Sequence, residues 1–396
     1  MPDLATTKAR IADAVRERHP HLIAVSHDLH DHPEIAFEER HAVAVLAAEL
    51  ERAGFTIERN VAGLETAFVA TAGSGEPTVG LLAEYDALPK LGHACGHNLI
   101  ATWAIGAALA LRETLPEGAG TIKVFGTPAE EGGGGKAIMA QAGVFGGLAA
   151  ALMMHARDVT YIERATLALT SFTVEFAGKA AHASAYPERG INALDAVLHV
   201  FFGVNAFRQG LPPRVRIHGI ITAGGEAVNV VPAHAACEFL LRAPEQGILD
   251  GVRERFLGIV RGAEAATGAT ATITEGRGYP HRVSNRALAD TFRENLVALG
   301  QGYEVPSADV GIGSSDSAAV SHLVPMIHPY LQICDPPIGG HTPEFAAAAR
   351  SPRADEQIAE GAIALAWTAA EVLLRPELRE ELRAGFREQL GREPQG

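Results

Sequence analysis

Short apolar segments alternate with helical segments through the first part of the chain, and this alternation constrains the fold more than any other feature. Residues 79–83, 121–125 and 150–154 are nearly continuous apolar runs, typical of strands that are buried on both faces. A helical segment runs from Asn98, whose side chain can cap a helix, to about Thr114. Strands that alternate with helices predict an α/β fold: a mostly parallel sheet flanked by helices.

Polar side chains follow the ends of these predicted strands. Asp86 follows the strand at residues 79–83, Glu130 and Glu131 follow the strand at 121–125, and His155 follows the strand at 150–154. In open parallel sheets, ligands bind beyond the carboxyl ends of the strands. We therefore expect these side chains to converge on one edge of the sheet.

The stretch Gly-His-Ala-Cys-Gly-His-Asn at residues 92–98 places three possible metal ligands between a strand and a helix. Thiolate and imidazole are good zinc ligands. A single cysteine here would usually be a buried thiol in a loop that begins a helix, but the crowding of Cys95 with His93 and His97 favours a metal site. Spacing alone does not rank His93 against His97.

Glu130 and Glu131 are adjacent carboxylates with four glycines behind them, at residues 132–135. One carboxylate can hold a metal ion while the other moves protons. The glycines indicate a close approach of the backbone to another group. A phosphate-binding loop is excluded, because Ala137 follows Lys136 where Ser or Thr is needed and Glu130 takes the place of the first glycine. The serine-hydrolase nucleophile elbow is also absent.

Length, charge and cysteine content narrow the class of protein. The 396 residues predict two domains, and the net charge of -14 without a basic run makes nucleic acid and anionic membranes poor partners. From its first residues we expect no signal segment, and the longest nearly apolar run, residues 99–111, is shorter than the ~20 residues that span a bilayer. With three unrelated cysteines, we expect a cytoplasmic protein without a disulfide framework.

The sequence pattern changes from about residue 167. Residues 172–176 alternate between apolar and polar side chains, as a strand with one exposed face does, and helices and further strands follow. The pattern predicts an inserted α+β domain at residues 167–279, between the two parts of an α/β domain at 1–166 and 280–396. His182 lies in the insert and could simply be a surface residue.

Several stretches together resemble the aminoacylase/glutamate-carboxypeptidase family of dinuclear zinc peptidases. The resemblance is to its amidohydrolase branch, which includes auxin-conjugate hydrolases and p-aminobenzoyl-glutamate hydrolase, and most of all to β-alanyl-lysine dipeptidase-like members. The stretches are residues 92–100, 128–135, 183–187, 192–196, 218–221, 239–244 and 328–330. The resemblance implies a zinc-peptidase catalytic domain with an inserted lid and dimerisation domain.

The resemblance also assigns roles to individual residues. Two divalent metal ions per subunit, zinc first and manganese or cobalt as alternatives, would be held by Cys95, His97, Glu131, His155 and His341. Glu130 would be the general base that deprotonates a metal-activated water, and Asp86 would orient a ligand. His182 would act on the active site of the partner subunit in a homodimer and stabilise the oxyanion.

By the same resemblance, polar and carboxylate groups of the substrate would be held by Asn229 and Arg242, with Ser315 and Asp316 lining the pocket. The substrates would be small N-acyl or N-aminoacyl amino acids, cleaved at the amide bond. The alternatives are a dipeptidase of the β-alanyl-lysine type and a metal-binding relative without catalysis. Asn98 departs from the Asp that is common in this branch after Cys-Gly-His, which puts metal preference or pocket polarity in question.

Overall fold

The computed structural model describes residues 3–307 and 311–395, and the chain divides into two compact units. The first unit contains Met1–Arg164, Arg282–Gly311 and Asp316–Gly396, and the second contains Ala165–His281 and Ile312–Ser315. The boundaries drawn from sequence differ by two residues at each end of the insert (167 against 165, and 279 against 281). The return of residues 312–315 to the second unit was not expected from sequence.

The first unit is built on a six-stranded mixed sheet in the order β1-β2-β4-β3-β5-β11. Its strands are β1 (Thr56–Arg59), β2 (Phe68–Gly73), β3 (Thr78–Glu84), β4 (Thr121–Thr127), β5 (Ala150–Leu152) and β11 (Met326–Ile327). The four strands β4, β3, β5 and β11 run parallel, whereas β1 and β2 pair antiparallel at one edge. Every residue of β3 is buried, as expected of a central strand covered on both faces.

Helices of the first unit pack on this sheet and on one another. They are α1 (Leu4–Asp31), α2 (Arg40–Arg52), α3 (His97–Thr114), α4 (Gly135–Gln141), α7 (Arg286–Ala298), α8 (Ser317–Ser321), α9 (Pro343–Ala348), α10 (Pro352–Leu374) and α11 (Pro376–Leu390). The nearly apolar α3 is the most buried, and it packs against α1, α10 and β3. A small two-stranded parallel sheet pairs β6 (His155–Arg157) with β12 (Tyr330–Gln332).

The second unit is a four-stranded antiparallel sheet in the order β10-β7-β9-β8, with two helices on one face. Its elements are β7 (Ala168–Ala177), α5 (Ala193–Arg208), β8 (Arg216–Ala223), β9 (His234–Ala243), α6 (Gln246–Thr267) and β10 (Thr270–Tyr279). Cys237, Phe239 and Leu241 alternate along β9 into the core under the helices. Arg242 therefore points to the opposite face of the sheet, because successive side chains of a strand alternate.

In the part of the chain that the structure describes, one helix is long and apolar enough to cross a membrane. It is α10, and 78% of its most apolar window is buried inside the protein. Its buried positions include Ile358, Leu365 and Val372, which contribute to the same core as α1 and α3. Burial of this kind is typical of the central helix of a globular domain.

Candidate metal centre

The site residues of the first unit follow the carboxyl ends of neighbouring parallel strands. Asp86 comes after β3, Glu130 and Glu131 come after β4, and His155 opens β6 shortly after β5. Because β3, β4 and β5 are adjacent and parallel, the loops that follow them meet at one edge of the sheet. The structure brings Glu130, Glu131 and His155 together with Cys95 and His97, and also with His341, which only the family resemblance had singled out.

Donor atoms of these residues form overlapping groups. Each group has all its donor atoms within 4.8 Å of one another: Cys95, His97 and His155 in the first, Cys95, Glu131 and His341 in the second, and His97, Glu130 and Glu131 in the third. Cys95 Sγ lies 3.5 Å from His155 Nε2, and Glu131 Oε1 lies 3.1 Å from His341 Nε2. The first two groups share Cys95, and the third shares His97 with the first and Glu131 with the second.

Asp86 orients the two ligand residues beside it. Its carbonyl oxygen accepts from His97 Nδ1 at 2.7 Å, and its Oδ1 lies 3.1 Å from the same nitrogen. Its Oδ2 accepts from the backbone N–H of Glu131 at 2.9 Å. These bonds leave His97 Nε2 facing the site, where it is buried and makes no hydrogen bond. The nearest carboxylate oxygens are Glu84 Oε1 at 3.3 Å and Glu131 Oε1 at 3.9 Å. A buried imidazole nitrogen that makes no hydrogen bond and lies beside carboxylates and a thiol fits a metal ligand.

Burial sets the ionisation of the other donors. Burial raises the pKa of the Cys95 thiol far above its usual range, so a thiolate at neutral pH needs a nearby cation. Burial, assisted by the charge of His97, lowers the pKa of His155 to about 3. The neutral imidazole of His155 is the form that coordinates a metal. The donor set as a whole therefore fits a divalent ion.

The backbone loop before α3 is held close to β6. Gly96 has a positive φ of 76°, and a Cβ at this position would lie 2.6 Å from Ala156 Cβ. The sequence suggested Asn98 as the N-cap of α3, and this prediction is wrong. Gly96 takes that position, and Asn98 lies inside the first turn. Asn98 Nδ2 donates to Ser26 Oγ at 2.9 Å and to Ala349 O at 3.0 Å, so its amide joins three helical regions of the core.

The open choice between His93 and His97 is decided by geometry. His93 is buried against α1, where its Nε2 lies 3.0 Å from Leu29 O. Burial, with the neighbouring His97 and His30, lowers the pKa of His93 to about 3. His93 belongs to none of the donor groups found among residues 3–307 and 311–395. It is a packing residue of the loop, and His97 is the candidate ligand.

Two further residues support His155. His155 Nδ1 is fixed 2.7 Å from Ala156 O, and its ring stacks at 5.6 Å on that of His328. Tyr330 lies on β12 directly opposite His155 in β6, with ring centroids 5.4 Å apart. The motif His328-Pro329-Tyr330 was recognisable in the sequence, but its role beside His155 became clear only from the pairing of two strands far apart in the chain.

The glycines after Glu131 serve the packing of the chain itself. A Cβ on Gly133 would lie 2.2 Å from the ring of Phe37. The backbone N–H of Ala129 donates to Glu39 Oε1 at 2.8 Å. The close backbone approach predicted from the sequence is therefore an approach to the loop between α1 and α2, which supports the loop that carries Glu130 and Glu131.

A buried charge triad beside the site was not predicted from the sequence. Lys136 Nζ lies 2.6 Å from Glu84 Oε2 and 2.8 Å from Asp316 Oδ1, and all three side chains are almost completely buried. Burial alone would lower the pKa of Lys136, but the charges of Asp316 and Glu84 outweigh it and raise the pKa, so the ammonium stays protonated. In the sequence, the only feature that draws attention to this triad is a lysine that follows four glycines.

The triad changes the interpretation of Asp316. Both of its carboxylate oxygens bind Lys136, Oδ2 accepting the backbone N–H and Oδ1 accepting Nζ, each at 2.8 Å. Asp316 is fully buried, so it does not line a substrate pocket as the resemblance implied. It fixes the start of α4, directly after the glycine loop. Burial, then the charges of Glu84 and Asp316, also raise the pKa of Glu130 well above its usual range.

The other predicted substrate residues belong to the second unit. His182 and Asn229 are exposed and lie in adjacent loops, where Ala183 N donates to Asn229 O at 3.0 Å. Arg242 is half-buried on β9, and its Nε makes no hydrogen bond. Ser315 is buried. These four are not part of the donor groups of the first unit.

Comparisons with known proteins identify the family to which the chain belongs. The profile of the peptidase family M20/M25/M40 matches residues 80–369. The chain is 37% identical to the Xaa-Arg dipeptidase of Homo sapiens over 99% of its length and 94% of that protein. It is 36% identical to a component of the p-aminobenzoyl-glutamate hydrolase of Escherichia coli, over 73% of this chain and 65% of that protein.

A solved structure shows the same fold. The YXEP protein of Bacillus subtilis, described as a dinuclear metal binding peptidase of this family, has a TM-score of 0.65 at 23% identity, covering 89% of this chain and 99% of that one. The chain belongs to the M20/M25/M40 family of peptidases. It is therefore a hydrolase of amide bonds with the fold of that family, which uses divalent metal ions.

Proposed function

We propose that the protein hydrolyses the amide bond of small N-acyl or N-aminoacyl amino acids, with two divalent ions per subunit and Glu130 as the general base. The observation that carries the proposal is the convergence of Cys95, His97, Glu131, His155 and His341 beside a second carboxylate, Glu130. In such a site a bound divalent ion lowers the pKa of a water molecule and polarises the carbonyl of the substrate. Zinc suits the thiolate and imidazole donors, with manganese or cobalt as alternatives.

Glu130 has the position and environment of a base. Its side chain lies among the ligands but, unlike Glu131, it has no close contact with His341. Burial and the charges of Glu84 and Asp316 raise the pKa of Glu130, so its carboxylate accepts a proton more readily than an exposed one does. Glu130 would take the proton of the attacking water and pass it to the leaving amine. This argues against a metal-binding relative without catalysis.

A dipeptidase is the second candidate, and one observation favours it. The similarity to Xaa-Arg dipeptidase spans nearly the whole chain, whereas the similarity to the p-aminobenzoyl-glutamate hydrolase component covers less of it. A dipeptide is itself an N-aminoacyl amino acid, so both candidates use the same chemistry. Parallel assays on Xaa-Arg dipeptides, β-alanyl dipeptides and N-acetyl amino acids separate the two.

Arg242 would bind the free carboxylate of the substrate. A guanidinium group binds a carboxylate through two parallel hydrogen bonds, and Arg242 Nε lacks a partner within its own unit. Losing such a partner in a buried complex costs on the order of 2–5 kcal/mol. We expect Arg242→Ala to lower catalytic efficiency strongly on a carboxylate substrate, with metal content unchanged, and to have little effect on the corresponding amide.

The control for this experiment is Arg216→Ala. Arg216 lies opposite Arg242 in the β8–β9 pairing but is exposed. It should leave catalytic efficiency on both substrates close to that of the native enzyme. Equal efficiency of the native enzyme on an acid and its amide would remove Arg242 from carboxylate recognition.

The second unit would act as a lid and as the contact between two subunits. β8 is an edge strand of its sheet, and it exposes Ile220 and Ile221. On the neighbouring α5, Phe202 is 71% exposed. An exposed edge strand with apolar side chains is suited to pairing with a second copy. A homodimer is therefore part of the proposal. A cytoplasmic location is also part of it, on the separate ground of the three unrelated cysteines.

His182 is suited to stabilise an oxyanion across such a dimer. Its Nδ1 accepts from the backbone N–H of Ser184 at 3.4 Å, which leaves the proton of a neutral ring on Nε2. We expect mixed dimers of inactive His182→Ala and inactive Glu130→Gln subunits to regain activity, because one of their two sites carries neither defect. Activity is measured after subunit exchange, which is verified by tagged subunits. Exchange without any recovery would show that His182 acts within its own subunit or not at all.

A further inference from the structure

Histidines are concentrated on α1, away from the donor groups of the active site. Four of them have a single hydrogen-bond acceptor each: His19 with Asp355 O, His21 with Glu49 Oε2, His27 with Asp355 Oδ1 and His30 with Ala346 O. These contacts join α1 to other elements, and each is explained by packing.

Asp28, His32 and His41 form a different arrangement, in which two imidazoles meet one carboxylate. His41 Nε2 lies 2.8 Å from Asp28 Oδ2, and His32 Nδ1 lies 3.2 Å from Asp28 Oδ1 and 2.9 Å from the backbone carbonyl oxygen of Asp28. The two rings are 4.5 Å apart, and donor atoms of the three residues lie within 4.8 Å of one another. All three side chains are partly exposed, so an ion and its water ligands can reach them.

We propose that Asp28, His32 and His41 form an additional binding site for one divalent transition ion, such as zinc. Two imidazoles and a carboxylate suit zinc, nickel or copper, and they disfavour magnesium and calcium, which prefer oxygen ligands. Water would complete the coordination. Separate exposed ion pairs contribute little to stability, so pairing alone gives little reason for this convergence.

The position of the site gives the ion a structural effect. Asp28 lies in the last turn of α1, His32 follows the helix, and His41 lies in the first turn of α2, so the ligands stand at both ends of the loop at residues 33–39. This loop supports the active site: Glu34 O accepts from Ala87 N at 2.7 Å, and Glu39 Oε1 accepts from Ala129 N. An ion that joins α1 to α2 therefore braces the loop behind Asp86 and Glu130.

The test compares zinc binding by the native enzyme and by variants, each with its active site already loaded with zinc. After dialysis against the same buffered concentration of free Zn²⁺, we expect one more zinc per chain in the native protein than in His41→Ala or Asp28→Asn. Removing a ligand should weaken binding by more than the roughly 10–100-fold that losing a partner of a ligand costs. His27→Ala is the matched control, because His27 lies on the same helix but binds Asp355.

Hydrogen–deuterium exchange gives a second readout that does not depend on activity. Zn²⁺ should slow the exchange of amides in residues 33–39 in the native protein and in His27→Ala, but not in His41→Ala or Asp28→Asn. Circular dichroism confirms that each variant is folded. Equal zinc content in the native protein and both site variants, or zinc binding that leaves the exchange of this loop unchanged, would overturn the proposal.

Discussion

Replacing Glu130 by Gln should lower turnover by about 2–4 orders of magnitude while the metal content stays that of the native enzyme. Gln has the shape of Glu but cannot accept a proton, so the substitution removes the base and leaves the packing. Glu130 belongs to only one of the three donor groups of the site, whereas Glu131 belongs to two, which is why the metal should remain when Glu130 is changed. Turnover on a dipeptide and metal content by elemental analysis are measured on the same preparation.

Glu131→Gln is the matched variant, since it makes the same chemical change one residue away. Glu131 Oε1 lies 3.1 Å from His341 Nε2, and its backbone is held by Asp86. We expect this variant to lose metal occupancy as well as activity. If instead Glu130→Gln lost the metal and Glu131→Gln kept both metal and activity, the roles assigned to the two carboxylates would be reversed.

The strands of the central sheet could be predicted because each one depends on the pattern of a few consecutive residues. A strand buried on both faces needs a continuous apolar run, and β3 has one in Val79, Leu81, Leu82 and Ala83. Once β3, β4 and β5 were recognised as parallel strands, the convergence of the residues after them followed from topology.

The C-terminal segment was harder to predict from the sequence. It carries many charges, yet it forms α11, whose buried Leu378, Leu382 and Phe386 recur every four residues.

Contacts between distant parts of the chain could not be predicted. Lys136 and Asp316 are 180 residues apart, and nothing in the sequence around either one indicates the other. The choice of His97 over His93 likewise depends on which ring α1 covers, since both histidines are equally placed in the motif. The position of the N-cap depends on backbone torsion angles that the sequence does not reveal. Gly96 adopts a positive φ, which glycine tolerates, and α3 therefore begins after Gly96 and not after Asn98.

Removing the metal should abolish hydrolysis without unfolding the protein. The first unit has an extensive core of its own, and the candidate ligands lie at one edge of the sheet, so the fold does not depend on the ions alone. Without a cation the buried Cys95 thiol stays protonated, because burial raises its pKa. We expect a chelator to remove the activity and a divalent ion to restore it, with circular dichroism unchanged.

Hydrolysis of a substrate that the native enzyme cleaves in the parallel assays, by a preparation verified to be free of metal, tests the central claim most directly. The rate is measured before and after the return of Zn²⁺, Mn²⁺ or Co²⁺. We expect background rates without metal, recovery with at least one of these ions, and no recovery in Cys95→Ala, which lacks a donor that belongs to two of the three groups of candidate ligands. Full activity in the metal-free native protein would contradict the claim.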